Sequence, residues 1–137
     1  MANRLALQVT SRLSEVARIA PALREFADCH GVPTKAILAV NLALEEIMVN
    51  TISYGYADPR EHRIDVELTI DVGWLVVRVE DDARPFDPTE HPAPDVSKTI
   101  EDRPVGGLGI QLVRGLFDAV EYQRRGGRNV LVLKKEI

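Results

Sequence analysis

The sequence predicts an α+β domain in two layers, a mixed, mainly antiparallel sheet with three helices laid across one face. Twice along the chain, a pair of runs alternating apolar and polar residues is joined by a short glycine-containing turn, the pattern of a β-hairpin. Three other segments repeat apolar residues every three or four positions, as a helix with one buried side does. Hydrophobic residues make up 45% of the chain but aromatics only 5%, so the core must be aliphatic. Hairpins joined to helices that share one apolar side leave a sandwich as the economical packing.

In chain order, RLALQVTS alternates at Leu5, Leu7 and Val9 and suits a short half-buried strand. Ser14 is placed to cap a helix carrying Val16, Ile19, Leu23 and Phe26 on one stripe, which His30-Gly31 ends. Pro21 falls inside that pattern and either kinks the helix or restarts it. Thr34, after Pro33, opens a longer helix through Ile37, Leu38, Leu42, Leu44 and Met48 to about Tyr54, where Gly55 stops it. A hairpin follows, with Ile64, Val66, Leu68 and Ile70 on one arm, Asp71-Val72-Gly73 at the turn, and Leu75, Val77 and Val79 on the other. From Pro85 to Pro104 five prolines forbid regular structure, and so long a loop in a small domain is usually functional. Gly106-Gly107-Leu108-Gly109 then opens a helix to about Phe117, and AVEYQRR and RNVLVLKK form the last hairpin around Gly126-Gly127.

With 137 residues, no internal repeat and no shift in composition, the chain reads as one domain over residues 1–137. A net charge of −4 argues against bulk electrostatic binding to nucleic acid or an anionic membrane. Arg124, Arg125 and Arg128 flank the last turn and read as a solvated hairpin tip. Cys29 stands alone, which excludes an intramolecular disulfide and a cysteine-rich zinc site, and His30, His62 and His91 lack metal-ligand spacing. The first residues hold no apolar run of signal-peptide or anchor length, and no segment is expected to supply the roughly 20 apolar residues that span a bilayer. The expectation is a cytoplasmic, reducing setting.

Three places hold residues suited to chemistry. In LALEEIMVNTISYGY, Glu46 and Asn50 are four apart and project from one side of a helix, where a carboxylate and an amide can hold a hard cation and orient a hydroxyl. In VEDDARPFDP, Asp81 stands where a strand ends in a turn and can accept a hydrogen bond from an exocyclic amine; Asp and Pro also simply favour turns. In VGGLGIQL, glycines at a helix start let backbone N–H groups approach an anion, without the spacing of a P-loop or a dinucleotide fold. Taken singly, each also fits a solvated helix side, a plain turn or a plain helix start.

Their order is more specific. Glu-x-x-x-Asn on a helix, an Asp turn after a hairpin, a long loop, then Gly-x-Gly at a helix start resembles the GHKL ATPase superfamily of gyrase, histidine kinases and MutL. Within it, the small size and the DDARPFDP and GGLGIQLVRGLFDAVEY segments are similar to the RsbW/SpoIIAB-type anti-sigma serine kinases. The resemblance spans nearly the whole chain and implies the Bergerat-type ATP-binding sandwich, with ATP and Mg²⁺ as cofactors. It implies Glu46 as the general base, Asn50 as the Mg²⁺ ligand and Asp81 as the acceptor that selects adenine. Ala83, Pro85, Gly107, Leu108 and Gly109 would complete the nucleotide site, and residues from about Pro88 to Val105 would form a lid that carries Lys98 and Arg103. The implied activity is serine/threonine phosphorylation of a small anti-anti-sigma-type antagonist protein, with a sigma factor as second partner, a homodimer as the assembly, and no contact with nucleic acid or membrane. One departure is Ala83, where the family usually has the Gly of Asp-x-Gly; it favours the alternative of a nucleotide-binding regulator that acts by protein binding without kinase activity.

Overall fold

A computed structural model describes residues 3–90 and 107–137. Strand β1 (Arg4–Thr10) leads through a 3-10 turn (Leu13–Arg18) into helices α1 (Ile19–His30) and α2 (Thr34–Tyr54). The hairpin β2 (Arg63–Asp71) and β3 (Trp74–Asp81) follows, then a 3-10 turn (Pro88–Glu90), helix α3 (Gly107–Leu116) and the hairpin β4 (Ala119–Arg125) and β5 (Arg128–Glu136). The five strands form one sheet in the order β1-β2-β3-β5-β4. All four pairings are antiparallel, so the mixed sheet expected from sequence narrows to a purely antiparallel one.

The period of two decides which side of each strand meets the helices. Ile64, Val66 and Leu68 of β2, Leu75, Val77 and Val79 of β3, and Leu131 and Leu133 of β5 are buried, and on β2 and β3 their neighbours in sequence are more exposed. They pack against Ile19 and Leu23 of α1, Val40, Leu44 and Met48 of α2, and Val113 of α3. Each such side chain contributes roughly 1.5–3 kcal/mol by leaving water. The opposite face is charged, with Arg128 reaching Glu80 at 3.2 Å and Asp65 at 3.4 Å, and Arg4 reaching Glu67 at 2.6 Å.

Two expectations about helices change. Ser14 caps nothing; it lies within the 3-10 turn, which has no side-chain cap, and α1 restarts at Ile19 with Pro21 in its first turn, where the absent N–H has no helical partner to lose. Helix α2, at 21 residues, is long and apolar enough by length and composition to cross a membrane, contrary to expectation. One side of it is that of a core helix, with Val40, Ala43, Leu44 and Met48 fully buried in the core, while Leu38, Leu42 and Val49 are exposed.

Candidate functional site

The inward rows of two adjacent strands end in polar residues. On β3 the row Leu75, Val77, Val79 continues to Asp81, and on β5 the row Leu133, Leu131 continues to Asn129. The register pairs Asp81 directly with Asn129. They are the two buried polar residues among the described ones, 5% and 7% exposed. Beside them the last turns of α2 stand off from the sheet and leave a cavity of about 280 Å³, whose lining includes Asn50, Tyr54, Asp81, Phe86, Tyr122 and Asn129.

Asp81 is held by one oxygen. The Ala83 N–H and Asn129 Nδ2 both donate to its Oδ1, at 3.0 and 2.9 Å. Among the described residues every hydrogen bond to the Asp81 carboxylate ends on Oδ1, and Asp81 lines the cavity. Burial pushes the Asp81 carboxyl above its usual range, opposed by the hydrogen bonds from Asn129 and Ala83.

The last hairpin supports this turn. Arg124 donates to the Ala83 carbonyl at 2.7 Å and to Asn129 Oδ1 at 3.0 Å, and Tyr122 Oη donates to the same Oδ1. Asn129 Nδ2 also reaches the carbonyls of Ala83 and Arg84, at 3.3 and 3.0 Å. The reading of these arginines as a solvated tip therefore holds only for Arg125, which is exposed with Gln123 at 3.4 Å; Arg124 is bound to the site and Arg128 to the sheet's outer face.

The residues expected at a site are distributed unevenly. Asn50 and Ala83 line the cavity beside Asp81. Glu46, one turn before Asn50 on α2, is half-buried and outside the lining. Pro85 is exposed and outside it, whereas Arg84, Phe86 and Pro88 contribute. Gly107, Leu108 and Gly109 begin α3, and most of the expected lid, including Lys98 and Arg103, lies outside the described residues. Glu45 faces water and accepts from Asn41 at 3.3 Å. Asn129 and Tyr122 were not anticipated, although the alternation Asn129, Leu131, Leu133 already put an amide on the buried face.

The donors fit a hard cation that takes most of its ligands from elsewhere. Among the described residues no group of three or more His, Cys, Asp and Glu could hold a metal. Asn50, with Glu46 a turn away, supplies oxygen donors suited to Mg²⁺, which retains water and phosphate oxygens and needs few protein ligands.

A second cluster borders the Asp81 turn. His62 is bonded through Nε2 to Asp58 at 2.9 Å and through Nδ1 to Asp82 at 3.1 Å. Its ring stacks on Tyr56 with centroids 4.1 Å apart, and its backbone N–H donates to Ser11 Oγ at 2.8 Å. The Asp58 and Asp82 carboxylates raise the His62 pKa, since two acceptors favour the doubly protonated ring.

Comparison with known proteins agrees with this geometry. The chain is 28% identical to the serine/threonine-protein kinase BtrW of Bordetella bronchiseptica over 94 residues, covering 69% of this chain and 66% of that protein. It is 28% identical to the serine-protein kinase RsbW of Listeria monocytogenes over 138 aligned positions, 98% of this chain and 88% of that one. The fold matches the RsbU and RsbW domains of a Mycobacterium tuberculosis protein with a TM-score of 0.70 at 16% identity, over 97% of this chain and 31% of that one. It also matches a chain of the SiaB–SiaC complex of Pseudomonas aeruginosa with a TM-score of 0.55 at 16% identity, over 97% and 89% of the two chains. The family model of the histidine kinase-like ATPase domain matches residues 9–135. With buried Asp81 at the foot of an apolar cavity, Asn50 on its wall and nearly the whole length matched, the chain belongs to the histidine kinase-like ATPase domain family.

Proposed function

We propose that the protein is an ATP-dependent serine/threonine kinase of the anti-sigma type, phosphorylating a small antagonist protein in a partner-switching circuit. The observation that carries the reading is Asp81, a buried carboxylate with Oδ1 fixed by two donors, in the lining of a cavity of about 280 Å³. An acceptor-only group in an apolar slot suits the amino group of adenine, and the slot suits a flat ring. Kinase names among relatives that match 69% and 98% of the chain support the activity.

In this reading a serine or threonine oxygen of the antagonist forms a bond to the terminal phosphorus as the bond to the ADP oxygen breaks. The hydroxyl proton passes to the Glu46 carboxylate. Asn50 would hold Mg²⁺, which would supply neutralisation of phosphate charge, and positioning supplies most of the rate. Glycines 107 and 109 at the start of α3 turn N–H groups toward phosphate. The reading further places the protein in the cytoplasm as a homodimer, with a sigma factor as its other partner. Ala83 does not favour the alternative of a regulator without kinase activity: among the described residues Val72 alone of the non-glycines has a positive φ, so Ala83 needs no glycine, and its N–H serves Asp81.

The test is calorimetric titration with ATP and Mg²⁺, followed by phosphate transfer to a candidate antagonist. Asp81→Asn is expected to weaken ATP binding at least tenfold, because a donor replaces the acceptor that faces adenine. Glu46→Ala is expected to bind ATP but transfer phosphate at least a hundredfold more slowly. Undiminished transfer by Glu46→Ala removes it as base, and undiminished binding by Asp81→Asn removes the adenine assignment.

A further inference from the structure

We propose that Asn129 is a positioning residue: clamped by Tyr122 and Arg124, it fixes Asp81 Oδ1 to the protein, so that Oδ2 alone, as an ionised acceptor, meets the purine. The inference rests on the reading of the cavity as an adenine pocket, and it assigns part of the choice of base to the last hairpin.

The amide is oriented by its surroundings. Three acceptors face one end, Asp81 Oδ1 at 2.9 Å, the Arg84 carbonyl at 3.0 Å and the Ala83 carbonyl at 3.3 Å, and they require the NH₂ group. Arg124 Nη1, which can only donate, faces the other end and requires the oxygen, and Tyr122 Oη donates to it as well. A flipped amide would set acceptor against acceptor and donor against donor. With both ends taken by protein groups, Asn129 acts through Asp81 and not by binding the base itself.

The clamp has an electrostatic consequence. A carboxylate 5% exposed is pushed toward its neutral form by burial and, less, by the Asp82 charge, and its bonds from Asn129 and the Ala83 N–H, with the Arg128 charge, oppose that push. A protonated Asp81 would carry a donor on the carboxyl and could no longer serve adenine as a pure acceptor. Arg124 acts one step further out. It holds Asn129 Oδ1 and the Ala83 carbonyl together, tying β4 to the turn that carries Asp81.

The experiment titrates the side-chain carboxyl carbon of Asp81 by NMR in the nucleotide-free protein, alongside calorimetry with ADP. In Asn129→Val the Asp81 midpoint is expected to move up, and ADP affinity at neutral pH to fall about tenfold, by more at lower pH. Asn129→Thr, which keeps a donor for Asp81, is expected to return the midpoint most of the way. Should Asn129→Val fail to fold, Arg124→Met, altered at an exposed residue, is expected to move the midpoint in the same direction by less. An unchanged midpoint in folded Asn129→Val, or in Arg124→Met where Val does not fold, overturns the positioning role. An ADP-binding defect equal at every pH also overturns it, by showing a merely structural effect. Absence of ADP binding in the unaltered protein overturns the pocket reading instead, and the nucleotide-free titration still decides the role of Asn129.

Discussion

Ala83 shows how a single methyl group is accommodated next to a site. Its Cβ lies against Gly55, where α2 ends, and the Arg84 N–H donates to the Gly55 carbonyl at 3.0 Å. A Cβ built on Gly55 would come within 2.9 Å of the Ala83 Cβ and 2.5 Å of the Thr51 carbonyl oxygen. Neither is the loose end of a flexible side chain, so backbone must shift. Gly55→Ala is therefore expected to cost about 1–3 kcal/mol of stability and to weaken nucleotide binding, because the displaced turn carries Asp81. Adding Ala83→Gly removes one of the two clashes and is expected to restore part of the loss. Chemical denaturation of the two single variants and the double variant measures that coupling. Strict additivity would show that the two positions do not meet. Ala83 takes no positive φ here, and the room for its methyl group is supplied by Gly55 from across the pocket.

At the scale of elements, the hairpin turn between β2 and β3 carries a local cost at Val72. Val72 has a φ of 29° and is 93% exposed, and Gly73 follows with a φ of 81°. Positive φ at both central positions suits Asn-Gly, and a β-branched residue is strained there. Val72→Asn is expected to raise stability by about 1 kcal/mol, measured as a rise of a few degrees in Tm; an unchanged or lower Tm would show that Val72 is not strained. The hairpin itself was legible, because alternation of Val, Ile and Leu marks both arms and Gly marks the turn. The helices were legible for the same reason, except at the start of α1, where the chain's own 3-10 turn replaced the Ser14 cap. Of the residues that line the cavity, Asn50 and Asp81 were legible from local pattern, one on an apolar helix and one at the end of a strand, whereas Glu46 lies outside the lining. The site was not legible across strands. Asn129 meets Asp81 from 48 residues away, a distance closed only by the register of β3 with β5. Arg124 looked like a solvated cation because local sequence says nothing of the carbonyl brought beneath it by the sheet.

Across the whole molecule, His62 joins three stretches: the chain after β1 through Ser11, the loop after α2 through Asp58, and the turn after β3 through Asp82. Two carboxylates and a stacked Tyr56 surround the ring, and its side chain is 14% exposed. The carboxylates raise its pKa in the fold above the ordinary histidine value of about 6.5, which the unfolded chain retains. Folding then binds a proton more tightly, so the stabilisation is fully present below about pH 6.5 and is lost as pH rises through the folded value. Asp58, held below its usual range chiefly by His62, loses its contribution only as strongly acid pH protonates it. The raised Asp81 works in the opposite sense at moderately acid pH, where its preference for the neutral form makes ionisation destabilising. Across neutral pH the His62 effect stands apart from both. Denaturant unfolding at a series of pH values is expected to show stability falling from mildly acid toward alkaline pH, and His62→Gln, which keeps a ring-sized polar side chain but cannot titrate, is expected to flatten that fall. A variant with the same slope as the unaltered protein would place the dependence in other groups and leave His62 as an uncharged bridge.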